Sequence, residues 1–169
     1  MSSVSSISGI TSSIDLGSTG SLQFQFAKLQ LALAEASKNG AMDYIKQIED
    51  SQAEQKKVSD MLQKARQLKA DAAAKGDKEV TEMSVEMETY MKQNGLAIDQ
   101  TGGDRLHNKD EWDVAITSLQ SHLDKIGSNT QQLMVFVQDY MGQYNSYLQG
   151  GNSAIQQGNQ TLAELAKVR

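Results

Sequence analysis

The side chains best able to do chemistry in this sequence are two histidines and a short acidic stretch. His107 and His122 are the only imidazoles, and they stand 15 positions apart. An imidazole holds metal or moves protons when a second ligand or an orienting carboxylate lies at a fixed spacing. Cysteine is absent, so a zinc site would have to recruit carboxylates, and no carboxylate pair shows that spacing. The stretch Asp99-Gln100-Thr101-Gly102-Gly103-Asp104 lacks the full ligand pattern and the terminal Glu of a calcium loop. Neither a phosphate loop nor a nucleophile elbow is present. His107 is expected in a loop and His122 on a helix flank. No catalytic, cofactor-binding or metal-ligating residue follows from these spacings, and the chain reads as a non-enzyme that works without a cofactor.

The informative spacing is structural. Trp112, Ile116, Leu119, Leu123, Ile126, Thr130, Leu133, Val137, Tyr140, Tyr144 and Tyr147 succeed one another at alternating steps of four and three. All but Thr130 are apolar or aromatic. A 4-3 step marks an α-helix that keeps one narrow seam against a partner helix. At 1.5 Å per residue, 112–147 would make a rod of roughly 50 Å. Trp112, Ile116, Leu119, Leu123 and Ile126 are expected to form the seam of a hairpin within the chain. Asn108, with Glu111 three residues on, is the expected capping box of this helix. Beyond Tyr147 the same count lands on Gly151, Ala154, Gly158, Thr161, Leu165 and Val168, and Gly150-Gly151 should weaken the helix there.

Composition agrees with long helices. The chain of 169 residues has no proline, 5% aromatic residues and 38% hydrophobic residues. Proline costs about 3 kcal/mol inside a helix, so its absence suits uninterrupted helices. A low apolar fraction suits a coiled coil, which buries a stripe rather than a broad face. The net charge of -5 argues against nucleic acid, which calls for a basic surface. No run of about 18 apolar residues is present, so no membrane span is expected.

A first long helix is expected from about Leu22 to Ala74. Phe26, Leu29, Leu33 and Ala36 form its first stripe, and Asn39-Gly40 is a candidate break. Met42, Ile45 and Ile48 resume the stripe, Gln52 and Gln55 take seam positions, and Val58, Met61, Ala65, Leu68 and Ala72 restore the repeat in a shifted register. Gly76 stands where a helix C-cap belongs. A second helix is expected over Lys78 to Gln93, with Asp77 as N-cap and Val80, Met83, Met87, Tyr90 and Met91 as its stripe. Asn94-Gly95 closes it, and 94–110 is an irregular insert. The fold class is therefore all-α: an elongated antiparallel helical hairpin or coiled coil, pairing 22–74 with 112–149, with a short helix and an irregular insert between the long helices. Residues 22–169 read as one coiled-coil domain.

The two ends differ from this pattern. Residues 1–21 hold nine Ser, two Thr and three Gly, with no Lys or Arg and no apolar core of a cleavable signal. They read as a disordered Ser-rich segment suited to export without cleavage. From Ser128 to Arg169 only Asp139, Glu164, Lys167 and Arg169 are charged, while twelve residues are Asn or Gln. A solitary surface helix normally carries a charged outer face. An amide-rich exterior fits burial against other protein, where unpaired charge is costly. Leu133, Val137, Tyr140, Tyr144, Tyr147 and Leu148 are accordingly the candidate assembly or partner interface.

A Ser-rich start, a long helix, a Met-rich helix ending in an insert and a charge-poor heptad helix resemble the extracellular translocator proteins of bacterial type III secretion systems. The run Tyr90-Met91-Lys92-Gln93-Asn94-Gly95-Leu96-Ala97-Ile98-Asp99 is similar to a helix-end segment of the EspA and SseB filament type. The layout is also similar to needle-tip proteins of the LcrV and IpaD type, which carry larger inserts and often an N-terminal hairpin. The shortness of this chain favours a filament-like or minimal tip protein. The resemblance implies a secreted protein, extracellular or at the bacterial cell surface, that assembles at or beyond the secretion needle to support effector translocation. Its implied partners are further copies of itself, the needle subunit and a dedicated cytosolic chaperone. The residues leave a second class open, a cytosolic helical chaperone or adaptor for a secreted protein.

The hairpin seam is testable by itself. Leu119→Asp and Leu123→Asp each place an unpaired charge in it and should lower stability by several kcal/mol. Thermal unfolding followed by circular dichroism reads the effect. Unchanged melting in both variants would show that the seam is not buried.

Overall fold

The computed structural model describes residues 22–76, 79–99 and 104–167. The Ser-rich segment 1–21, the expected N-cap Asp77 and the pair Gly102-Gly103 lie outside these residues. The elements in chain order are helix α1 (Leu22–Lys75), strand β1 (Thr81–Glu82), helix α2 (Val85–Gln93), strand β2 (Leu106–His107) and helix α3 (Lys109–Lys167). The fold is all-α with two long helices packed against each other and a short helix between them. The chain divides into two compact units. One comprises the residues up to Gln47 together with those from Leu133 onward, and the other comprises Ile48–Gln132.

In the Ile48–Gln132 unit, α1 and α3 run antiparallel, since their contacts descend along α3 as they ascend along α1. Gln55 reaches Thr130, Arg66 reaches Gln120 and Lys69 reaches Asp113. Mostly large side chains make the core: Val58, Met61 and Leu62 from α1, Trp112 and Leu119 from α3 with the small Ala115 between them, and Met87, Tyr90 and Met91 from α2. Removing a Trp, Leu or Met side chain from water contributes roughly 1.5–3 kcal/mol each. The expected seam is in place: Trp112 and Leu119 are fully buried, while Ile116, Leu123 and Ile126 pack against the core half-buried.

The segment before α2 differs from its sequence reading. The helix begins at Val85, not Lys78, and Ser84 caps it by accepting a hydrogen bond from the Met87 amide at 3.3 Å. Thr81 and Glu82 are instead paired antiparallel with His107 and Leu106. Met83, expected on a helical stripe, donates its amide to the Arg105 carbonyl at 2.8 Å and is fully buried from an extended backbone. Val80 is exposed. The physical reason is the Thr81 hydroxyl, which donates to the Leu68 carbonyl at 2.9 Å and accepts from the Trp112 indole at 2.8 Å. That bridge ties β1 to α1 and α3 in place of another helical turn.

Helix ends follow their local signals. Gly76 has φ 144° after α1, and Gly95 has φ 63° after α2, conformations that favour glycine. At the start of α3 the Asn108 side chain accepts from the Asp110 and Glu111 amides. Glu111 in turn accepts from the Asn108 amide at 2.8 Å, so the capping box is complete.

The other unit pairs the first half of α1 with the second half of α3, also antiparallel, and the fully buried positions of its seam are small residues. Ala27, Ala34, Ser37 and Ala41 of α1 are buried, as are Gly151, Ala154 and Gly158 of α3. The expected α1 stripe of Phe26, Leu29, Leu33 and Ala36 is one position out of phase. Phe26 is 47% exposed, and Met42 and Ile45 are exposed as well. The burial pattern Ala27, Ala34, Ala41, Ile48, Gln55, Leu62 is an unbroken heptad, so no register shift occurs. Bulk explains the difference, because helices in close approach bury what is small and displace what is large. Gly40 does not break α1, and α3 continues through Gly150-Gly151 to Lys167. A Cβ on Gly40 would stand 2.6 Å from the Tyr140 ring, one on Gly151 would stand 3.3 Å from Leu31, and one on Gly158 would stand 3.1 Å from Phe24.

These glycines separate two effects. At Gly142 nothing lies within 4 Å of an added Cβ, so Gly142→Ala should stabilise by about 0.5–1 kcal/mol through helix propensity alone. Gly40→Ala gains the same propensity but collides with Tyr140, so its melting temperature should fall below that of Gly142→Ala. Equal melting temperatures would mean that Tyr140 does not pack on Gly40.

Candidate functional site

Two regions carry the arrangement of interest, one in each unit, and each follows from which flank of the helix pair is covered. With the seam positions written a and d, the position after each d is e and the position before each a is g. In the Ile48–Gln132 unit the g flank is covered by α2. Glu54, Met61 and Leu68 of α1 and Ala115 and His122 of α3 stand on that flank, and the Met-rich face of α2 meets them. The e flank is open and polar. Arg66 donates to Gln120 at 3.0 Å across it, and the Lys69–Asp113 ion pair lies at its end.

Under α2 sits a polar cluster that the residue spacings did not reveal. The Tyr90 hydroxyl donates to the Glu54 carboxylate, and its oxygen lies 3.1 Å from His122 Nε2. With the single phenolic proton committed to Glu54, His122 donates, which fixes its proton on Nε2. The Lys57 ammonium lies 4.9 Å above the Tyr90 ring, a cation–π contact. Burial, and then the hydrogen bond to Glu54 and that carboxylate's charge, push the Tyr90 hydroxyl above its usual value near 10. His107, expected in a loop, is instead on β2, buried, with its ring 5.3 Å from that of Trp112. His122 is on a helix flank as expected. The two imidazoles serve separate packing contacts and do not converge on one site. Among the described residues no group of three His, Asp or Glu side chains is placed to hold a metal ion.

In the other unit the candidate assembly residues divide. Leu133, Val137, Tyr140, Tyr144 and Tyr147 occupy the seam toward α1 and are half-buried there. Tyr140 rests on Gly40, and Tyr44 lies 5.7 Å from Tyr140 and 5.2 Å from Phe136, ring centre to ring centre. These tyrosines are therefore partly satisfied inside the chain. Leu148 stands at position e, outside the seam. So do Met134, Met141, Ile155 and Leu162, one every seventh residue, which the seam count passed over. The signal that finds them is the same heptad read one residue later. The e positions that are polar in the neighbouring unit are here apolar over five successive heptads. Met134, Met141 and Leu162 are 44%, 40% and 53% exposed. Across the same flank α1 adds Leu31 and Ile45, both exposed.

Compared with protein-family models, with curated proteins and with solved structures, the chain has no match. Among the described residues no helix is long and apolar enough to cross a membrane. The class that stands on the geometry is an all-α hairpin protein.

The Tyr90 cluster gives a pH prediction. Its raised ionisation favours the folded state fully below about pH 10, and that contribution is lost as pH climbs toward the folded value. Alkaline titration followed by tyrosinate absorbance should show a late component that vanishes in Tyr90→Phe. The variant should also melt at lower temperature near neutral pH, because Glu54 and His122 lose their shared partner. A late component that survives in the variant would assign it to another tyrosine.

Proposed function

We propose that this chain is a secreted structural subunit of a bacterial type III secretion apparatus, acting at or beyond the needle as a filament or tip component. Its work is helix docking rather than chemistry. The observation that carries the reading is the unit built from the two chain halves. Its seam buries alanine, serine and glycine, while large apolar side chains stay exposed on both helices. A two-helix layer of this kind offers apolar surface for further helices. The charge-poor, amide-rich exterior of 128–167 supports protein-facing burial. The Ser-rich start and the resemblance of the helix–insert–helix layout supply the secretion context, and the expected partners are further copies, a needle subunit and a chaperone that shields the apolar face before export.

Location separates this function from a chaperone or adaptor that remains inside the cell. In a bacterium with an active type III system, the full chain should appear in the culture medium, and deletion of residues 2–20 should abolish that while leaving the helical circular dichroism unchanged. Export of the truncated chain at the normal level would remove the N-terminal signal from the proposal. Retention of the full chain in the cytosol would replace the secreted subunit with the chaperone.

A further inference from the structure

The methionines divide by unit. The chain has eight, and all but Met1 are among the described residues. Met61, Met83, Met87 and Met91 belong to the Ile48–Gln132 unit, and none is more than 8% exposed. Met42, Met134 and Met141 belong to the other unit and are between 40% and 57% exposed. These three stand close to one level of that unit. Met42 and Met141 flank the contact of Tyr140 with Gly40, and Met134 lies one turn from it, beside Phe136, whose ring packs on Tyr44. They do not share one face. Met42 follows the buried Ala41 at position b of α1, while Met134 and Met141 hold position e of α3. Ile45, Val135 and Phe136 are exposed at the same level, so the three thioethers belong to an apolar girdle on the helix pair.

In a chain without cysteine, the thioether is the side chain that accepts oxygen most readily. With a peroxide, a sulfur lone pair attacks one oxygen and the O–O bond breaks. That oxygen stays on sulfur as the sulfoxide, and the hydroxide that leaves takes up its proton to become water. Sulfur is oxidised by two electrons and the peroxide is reduced by two. Exposure decides which sulfurs react, since the oxidant must reach the lone pair. It also decides what the product does. A sulfoxide at Met42, Met134 or Met141 keeps its dipole in water. One at Met83, Met87 or Met91 would put a strong acceptor into a core whose buried side-chain polar atoms are already partnered, an unpaired burial that is costly.

We propose that Met42, Met134 and Met141 form a modification site for peroxide, where oxygen transfer to the three thioethers turns the apolar girdle polar while the hairpin stays folded. The inference requires neither secretion nor assembly. The change is reversible, because methionine sulfoxide reductases draw two electrons from a dithiol and release the oxygen as water. The girdle is thereby an oxidant-responsive surface, and the burial of the other four methionines protects the fold that carries it.

The test treats the full chain with hydrogen peroxide at a dilution where sedimentation shows a monomer. Oxygen addition is mapped by mass spectrometry of proteolytic peptides. Met42, Met134 and Met141 should each gain one oxygen nearly as fast as a methionine in an unstructured peptide. Met61, Met83, Met87 and Met91 should react at least about tenfold more slowly. Helical circular dichroism and the melting temperature should hold, while a dye that fluoresces on apolar surfaces should lose signal. Reductase treatment should restore that signal. A variant with Met42→Leu, Met134→Leu and Met141→Leu keeps the apolar area and the fold without the sulfur. Its dye signal should begin at the level of the native chain and resist peroxide. Protection of the three exposed methionines to the degree of Met91 would overturn the site. Melting that collapses in step with their oxidation would overturn the claim that the fold survives. A dye signal lost equally in the leucine variant would overturn the assignment to these thioethers.

Discussion

The distance between α1 and α3 controls the rest of this structure. Where Ala27 meets Gly151, the backbones come close enough that an added methyl on Gly151 or Gly158 would press on Leu31 or Phe24. Close approach strengthens dispersion along the seam. It narrows the interior at that level, while Leu133, Val137 and the three tyrosines of α3 fill the rest of the seam half-buried. Where the seam is Val58, Leu62, Trp112 and Leu119, the helices enclose bulk and form a core. One pair of helices thus produces a conventional interior in one unit and an outward-facing apolar surface in the other.

In the Ile48–Gln132 unit the chain supplies its own cover. The insert between the long helices brings α2 onto the g flank, and the Thr81 hydroxyl fastens its base to Leu68 and Trp112. Tyr90 fastens its far end through Glu54 and His122. Every buried side-chain polar atom among the described residues has a partner, as an economical fold requires. The opposite flank needs no cover because it is polar. The apolar e flank of the other unit is the counterpart of the g flank that α2 closes, without an insert of its own to close it.

The long helix α3 was legible because its seam side chains are large: Trp112, Leu119, Val137 and the three tyrosines announce the 4-3 step by bulk. The first half of α1 was misread for the same reason. Phe26, Leu29 and Leu33 outweigh Ala27, Ala34 and Ser37 in any count of hydrophobicity, yet the small residues are the ones buried. The start of α2 was misread because Val80, Met83 and Met87 fit helical spacing, while the competing pairing of Thr81 with His107 joins residues far apart in sequence. The e row needed the seam phase to be known first, since five apolar residues at intervals of seven are conspicuous only beside a, d and b. The Tyr90 cluster unites three elements that no local window contains.

One layer of the seam is polar. Gln55 donates to the Thr130 hydroxyl at 3.3 Å, and that hydroxyl donates to the Ile126 carbonyl at 2.9 Å. A heptad repeat is nearly degenerate under a slide of seven residues, and long hairpins can be caught in such slides while they fold. A slide here would carry the half-buried Gln55 amide against Leu123 or Val137 and away from the Thr130 hydroxyl, which keeps its bond to Ile126 on its own helix. A Gln55 amide left without that partner would cost up to about 1–3 kcal/mol. The pair thus favours one alignment of the two helices over those seven residues away.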